Sequence, residues 1–103
     1  MEGEELLRRY AVGERDFSWV DSVDADEELR GVVLRDINLS GVDFSYCTFK
    51  RANFTGANLR DAIEFFNCHI DDSIFSNTIM PNGSIWYDSI GYEPRPVNVR
   101  KSR

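Results

Sequence analysis

The sequence predicts an all-β fold in which the chain winds into square coils of about twenty residues that stack on one another. Between Leu29 and Leu59 every fifth residue is large and apolar, and a smaller residue precedes most of these by two positions. Neither the period of about 3.6 residues of a helix nor the two-residue period of an open strand gives this spacing. A chain that turns a corner every five residues does, because each side of the square then sends one large side chain inward.

The five-residue rhythm breaks once within the repeats, near Ala62. A strict count from Leu59 would place Glu64 inside, and burying an unpaired carboxylate is costly. One extra residue brings Phe65 inside instead and gives this coil twenty-one residues. The same shift predicts opposite charges on neighbouring strands, with Lys50 beside Asp71 and Arg51 beside Asp72.

The shifted spacing defines the predicted core. Its large inward residues are Leu29, Leu34, Leu39, Phe44, Phe49, Phe54, Leu59, Phe65, Ile70, Phe75 and Met80. After the break, the smaller inward residues are Ile63, Cys68, Ser73 and Thr78. Cys47 and Cys68 then face inward from adjacent coils, and we expect buried thiols because two thiols alone lack the further ligands of a metal site.

Several five-residue blocks resemble a known family. ANFTG and ANLRD match the pentapeptide-repeat consensus A-(D/N)-L-x-x, and INLSG, VDFSY and CTFKR are close variants. The chain is thus similar to the small pentapeptide-repeat proteins that are abundant in cyanobacteria. The resemblance implies a right-handed quadrilateral β-helix, here a solenoid of about three coils. Most members of the family have no assigned role, and a minority are acidic rods that imitate DNA and inhibit type II topoisomerases.

The sequence divides into three parts. Residues 1–28 are predicted to form an N-terminal capping helix and the entry loop, and residues 29–82 the β-helix. Residues 83–103 are predicted to form a C-terminal cap and a basic tail. The helix runs from Glu4 to Val12 with one apolar face, which we expect to cover the open end of the coils; a partner-binding helix is the alternative. After the turn that begins at Pro81, Trp86 and its neighbours are expected to fold back over Phe75 and Met80.

Charge and composition restrict the classes of partner. The net charge is −6, and it is spread as −6 over residues 1–30, −3 over 31–90 and +3 over 91–103. An acidic protein is poorly suited to nucleic acid, because phosphate binding needs a positive surface. No stretch approaches the roughly 20 apolar residues of a membrane helix. With two cysteines and no secretory signal, the expected localisation is cytoplasmic.

No catalytic constellation is found in the sequence. His69 is predicted to point outward beside the inward Cys68, so the two cannot share a metal or act as nucleophile and base. Asp71 and Asp72 lack the further oxygens that calcium needs. We therefore expect no enzyme activity, no catalytic or metal-binding residues, no cofactor and no small-molecule substrate.

Two aromatic residues stand where the repeat usually holds small or polar ones. Tyr46 and Phe66 fall outside the inward set and on or beside the same side of the square. Grouped exposed apolar residues can mark an interface, so we predict that these two bind a protein, either an unidentified partner or a second copy of this chain. Coverage by the chain's own Trp86 region is the alternative. The predicted function is a non-catalytic interaction or scaffold module; a DNA-mimic inhibitor of a type II topoisomerase is the alternative.

Overall fold

The computed structural model describes residues 1–26, 28–87 and 89–90. These residues contain one α-helix, α1 (Gly3–Ala11), and a short 3-10 helix (Phe65–Asn67). The six strands are β1 (Ser22–Asp24), β2 (Asp43–Tyr46), β3 (Ile74–Phe75), β4 (Thr78–Ile79), β5 (Ile85–Trp86) and β6 (Ser89–Ile90). No helix in the described part of the chain has the length and apolar character needed to cross a bilayer.

The strands form three two-stranded sheets. β1 pairs with β2 in parallel, whereas β3 pairs with β6 and β4 pairs with β5 in antiparallel fashion. The longest of these strands has four residues, and over the described ranges no sheet closes on itself or runs through the repeats. The prediction of an all-β quadrilateral β-helix solenoid is therefore wrong. The fold consists of stacked chain segments with one helix and short strands.

Turns separate the segments that a solenoid would make into strands. Residues 33, 38 and 43 each form a single parallel bridge with the residue twenty positions later. We call the stretch of about twenty residues from one bridged residue to its partner a layer. Positive φ angles recur every five residues, at Gly31, Asp36 and Gly41 and again at Arg51, Gly56 and Asp61. Because each such residue redirects the backbone, only isolated residues pair between layers, and extended ladders do not form.

Polar side chains hold many of these turns. The carboxylate of Asp43 accepts hydrogen bonds from the backbone N–H and the hydroxyl of Ser45. The amide oxygen of Asn53 accepts the same pair of bonds from Thr55. Such two-residue turns are a preferred local structure of Asp and Asn. They explain why the position before an inward residue is so often Asp or Asn.

The predicted large inward residues are all buried. None of the eleven exposes more than 1 % of its surface, and Phe17 is also fully buried. Edge-to-face contacts join the rings of Phe44, Phe49 and Phe54 at centroid distances of 5.1 to 5.9 Å, directly or through Phe65. The prediction is wrong for Ile63, which was expected inside and is 50 % exposed.

The extra residue is accommodated over a longer stretch than the sequence indicated. Glu64 is exposed in a left-handed conformation and Phe65 is buried, as predicted. As far as the bond from Phe49 N–H to Cys68 O, each backbone hydrogen bond between layers keeps the same separation in sequence. That separation increases by one residue at the bond from Arg51 N–H to Asp71 O. From there the bridges join residues twenty-one positions apart. The slip begins at Glu64 and ends after Cys68, and the 3-10 helix lies between.

The predicted charge pairs are not formed. Within the described residues, neither Lys50 with Asp71 nor Arg51 with Asp72 makes an ion pair within 4.0 Å. Both ion pairs of the described chain involve Arg9, which contacts Glu5 at 3.0 Å and Glu14 at 3.3 Å. Side chains at exposed positions gain little from pairing and lose conformational entropy, so the correct spacing did not guarantee the contact.

Both ends of the layers are covered by the chain itself. The helix predicted at Glu4 to Val12 is confirmed with a shift of one residue, and Leu6 is fully buried in the core. The Tyr10 hydroxyl fixes the helix by donating to the carbonyl of Arg35 at 2.8 Å. At the other end, Trp86 is 2 % exposed and its ring meets Phe75 edge-on at 5.2 Å. The predicted basic tail, residues 91–103, lies outside the described residues.

Candidate partner-binding surface

Tyr46 and Phe66 lie on the irregular side of neighbouring layers. At most other corners the residue two positions after an inward one takes a positive φ, as Gly41 and Arg51 do. On this side the corresponding chain is extended in β2, which ends at Tyr46, and helical around Phe66. The backbone here therefore does not make the usual corner, and its side chains project differently from those of the regular repeats.

The Tyr46 ring is held out into solvent by a fixed backbone. The side chain is 76 % exposed. Its backbone carbonyl accepts a 2.9 Å hydrogen bond from the N–H of Ala25, and its Cα pairs with that of Asp24. The ring borders a shallow depression of about 430 Å³ whose other lining residues are Glu2, Asp24, Ala25, Asp26 and Glu28. An aromatic face beside several carboxylates favours a cationic or basic contact.

Phe66 is more enclosed than Tyr46. It is 37 % exposed, and its ring lies 6.1 Å from that of Trp86 and 5.8 Å from that of Phe65. The alternative in which the Trp86 region covers this side therefore holds in part for Phe66. Its role in binding a partner stays a prediction.

The comparison with known families follows the regular layers. The family model described as Pentapeptide repeats (8 copies) matches residues 28–63. Residues 28–63 are a run of pentapeptide repeats. The match ends at Ile63, immediately before the slip in spacing that begins at Glu64. No curated protein and no solved structure matches the chain.

The chain exposes further apolar residues at bridge positions. Val33 is 52 % exposed and Ile74 is 38 % exposed, and both bridge to Asn53, so they share one side as predicted. Ile63 bridges to Asp43 and also points outward. The signal for Ile63 was present in the sequence, because it occupies the position that Asp43 and Asn53 hold in their own repeats.

Trp19 is an exposed aromatic residue that the sequence analysis missed. Its side chain is 57 % exposed, and the guanidinium of Arg9 lies 5.5 Å from the ring centroid. The indole Nε1 donates a 3.0 Å hydrogen bond to the carbonyl of Asp16. Trp19 falls between Phe17 and Leu29, where the five-residue rhythm is absent. Without a rhythm, the ring could not be assigned to the inside or the outside from the sequence.

The two thiols are enclosed and engaged in hydrogen bonds. Cys47 Sγ donates to the carbonyl of Val23 at 3.3 Å, and Cys68 Sγ donates to that of Phe44 at 3.1 Å. Burial raises the pKa of Cys68 to about 12 and raises that of Cys47 as well. Among the residues that the structure describes, no three His, Cys, Asp or Glu side chains gather as metal ligands.

Proposed function

We propose that this pentapeptide-repeat chain is a non-catalytic protein-interaction module. Its contact surface is centred on Tyr46 and also includes Phe66. Pentapeptide repeats suggest a non-enzymatic repeat protein. The single observation that carries the proposal is the 76 % exposure of the Tyr46 ring. The core is filled without this ring, so packing within the chain does not account for it. Tyrosine is among the residues enriched at interfaces.

The backbone around Tyr46 supports a preorganised contact. Phe44 is fully buried two residues earlier, and Asp43 holds Ser45 through two hydrogen bonds. The carbonyl of Tyr46 is itself tied to Ala25. A side chain with two rotatable bonds on a fixed backbone loses little entropy when a partner covers it.

Charge indicates the kind of partner surface. The carboxylates of Glu2, Asp24 and Glu28 line the same depression as Tyr46. A basic protein surface complements them, and the attraction between the two should weaken as salt is added. A second copy of the chain also meets this requirement, because residues 91–103 carry four bases and one acid. The proposal therefore covers a foreign basic protein and self-association.

The test compares three serine variants of exposed apolar residues. Tyr46→Ser should leave the free energy of unfolding within about 0.5 kcal/mol and weaken association, measured by light scattering and by capture from a native lysate. Phe66→Ser should also lower stability, by about 1–2 kcal/mol, because it removes the contact with Trp86. Val33→Ser is the matched control, because Val33 is also an exposed apolar residue but lies on another side. This variant should preserve association.

Three results would reject the proposed surface. The first is a Tyr46→Ser variant that melts far below the wild type while associating normally, which would make Tyr46 a packing residue. The second is inhibition of gyrase supercoiling at stoichiometric protein that survives Tyr46→Ser, which would favour the DNA-mimic alternative. Equal binding by all three variants would place the interface elsewhere on the molecule.

A further inference from the structure

A small groove on another part of the surface is lined by cationic and hydroxyl side chains. The groove has a volume of about 210 Å³. It is lined by four residues from three consecutive layers: Arg30, Thr48, Lys50 and His69. Among the residues that the structure describes, no carboxylate side chain lines it, although the protein as a whole carries a net charge of −6. The N–H of Gly31 donates to the carbonyl of Lys50 at 2.8 Å, which fixes the first two layers side by side at this point.

Three of these side chains have no partner within the described chain. Lys50 is half-buried, and its ammonium makes neither a hydrogen bond nor an ion pair there; the same holds for the Thr48 hydroxyl and the His69 ring. The Lys50 ammonium therefore has no counter-charge within the described chain. An anion in the groove would supply that charge through charge-assisted hydrogen bonds.

The two acids that follow His69 in the chain do not form an ion pair with Lys50. Asp71 contributes its backbone carbonyl to the N–H of Arg51, but its carboxylate does not come within 4.0 Å of Lys50. Asp72 is exposed and does not line the groove. The slip that starts at Glu64 matters here, because it ends beside His69, where the left-handed backbone has a φ of 53°.

We propose that this groove binds a phosphate group. A guanidinium offers a fork of donors to phosphate oxygens, an ammonium offers a compact charge, and a hydroxyl and an imidazole add further donors. The donors reach the groove from three layers, which suits a tetrahedral oxyanion with oxygens on several sides. The volume accommodates one such group. Free phosphate and a phosphate ester present the same chemistry to these residues.

The test is a titration of the full chain with inorganic phosphate, monitored through the amide chemical shifts. Chloride keeps the ionic strength constant during the titration. Saturable shifts are expected at Thr48, Lys50 and His69. Lys50→Gln should weaken binding about tenfold, the effect of losing one charge-assisted hydrogen bond. Arg51→Gln is the matched control, because it removes the same charge one residue away from the groove, and should weaken binding less than about twofold.

Phosphoserine, titrated in the same way, distinguishes the two sources of the group. Tighter binding of phosphoserine assigns the groove to phosphate esters, and tighter binding of inorganic phosphate assigns it to the free ion. Shifts that chloride reproduces, or an equal loss in Lys50→Gln and Arg51→Gln, would overturn the proposal. Thr48→Val provides a second variant if Lys50→Gln fails to fold. Tyr46→Ser should bind phosphate normally, so the two proposals can fail separately.

Discussion

The hydroxyl of Thr78 donates a 2.7 Å hydrogen bond to the backbone carbonyl of Phe54, twenty-four residues earlier in the chain. The same separation recurs in three further side-chain hydrogen bonds, from Cys47 to Val23, from Cys68 to Phe44 and from Ser73 to Phe49. All four donors occupy the smaller inward position of a repeat. A small polar side chain at that position therefore ties its layer to the carbonyl of the layer before it.

Replacing Thr78 with Val should cost about 1 kcal/mol of stability, because the shape is retained while one buried hydrogen bond is lost. The Phe54 carbonyl keeps its bond from the N–H of Ala57 at 2.9 Å, which limits the penalty. Urea unfolding measures the change. Thr55→Val is the control, since its hydroxyl bonds locally to Asn53 at a half-buried site and should cost less. An equal loss in both variants would show that the inter-layer bond contributes nothing special.

Cys47 and Cys68 should react slowly with alkylating reagents while the protein is folded. The thiolate is the reactive form, and burial raises the pKa of Cys68 to about 12 and also raises that of Cys47. At mildly alkaline pH both groups should stay protonated. Mass spectrometry after iodoacetamide treatment checks this, with guanidinium chloride as the condition in which both cysteines should label rapidly. Rapid labelling of the native protein would contradict the buried geometry.

The five-residue spacing predicted which side chains are buried but not how the backbone pairs. Large apolar residues respond to solvent in one dominant way, so Phe49 and Phe54 could be assigned to the inside from the sequence alone. Strand formation depends on the φ angle at each corner. Arg51 adopts a left-handed conformation that its residue type rarely takes, and Asp61 is left-handed as well. The surrounding layers impose these angles, and they interrupt the ladders that a continuous sheet would need.

The candidate sites were accessible from the sequence to different degrees. Tyr46 was predicted to be exposed because it breaks the small or polar pattern at its position, and its ring is exposed. The contact between Phe66 and Trp86 joins residues from separate parts of the chain. From the sequence, coverage of Phe66 by the Trp86 region could be stated only as the alternative to a partner contact. The groove around Lys50 could not be predicted, because the position of His69 depends on where the slip in spacing ends.

The turn at Asp43 should make stability depend on acidic pH. Hydrogen bonds from the hydroxyl and the N–H of Ser45 lower the pKa of the Asp43 carboxyl, and those from Ser18 lower that of Asp16. Because the folded pKa is below the unfolded value of about 3.9, the stabilisation is complete above that pH and is lost as pH falls through the folded pKa. Melting temperature measured across this acidic range should therefore decline.

Asp43→Asn tests this origin of the decline. An amide oxygen can accept the same two bonds, as Asn53 does from Thr55, but it does not titrate in this range. The melting temperature of the variant should therefore fall less steeply with acid than that of the wild type. The double variant with Asp16→Asn should be flatter still. Parallel curves for the wild type and both variants would assign the acid sensitivity to other carboxylates.

Two glycines with similar backbone angles separate backbone strain from crowding. Gly31 has a φ of +67° with nothing within 4 Å of an added Cβ, whereas Gly56 has a φ of +73° and a Cβ added there would clash with a carboxylate oxygen of Asp36. Gly31→Ala should cost about 1 kcal/mol, from the left-handed backbone alone. Gly56→Ala should cost more, because the Asp36 side chain must also move. Denaturant unfolding of both variants measures the difference.

The double variant Gly56→Ala with Asp36→Ala isolates the crowding at this corner. Removing the Asp36 carboxylate should bring the cost of Gly56→Ala, measured in the Asp36→Ala background, down to that of Gly31→Ala. A coupling of this kind is expected only between residues in direct contact. If the cost of Gly56→Ala is the same with and without the carboxylate, backbone strain accounts for all of it, and the close approach of these two layers does not restrict the residue at position 56.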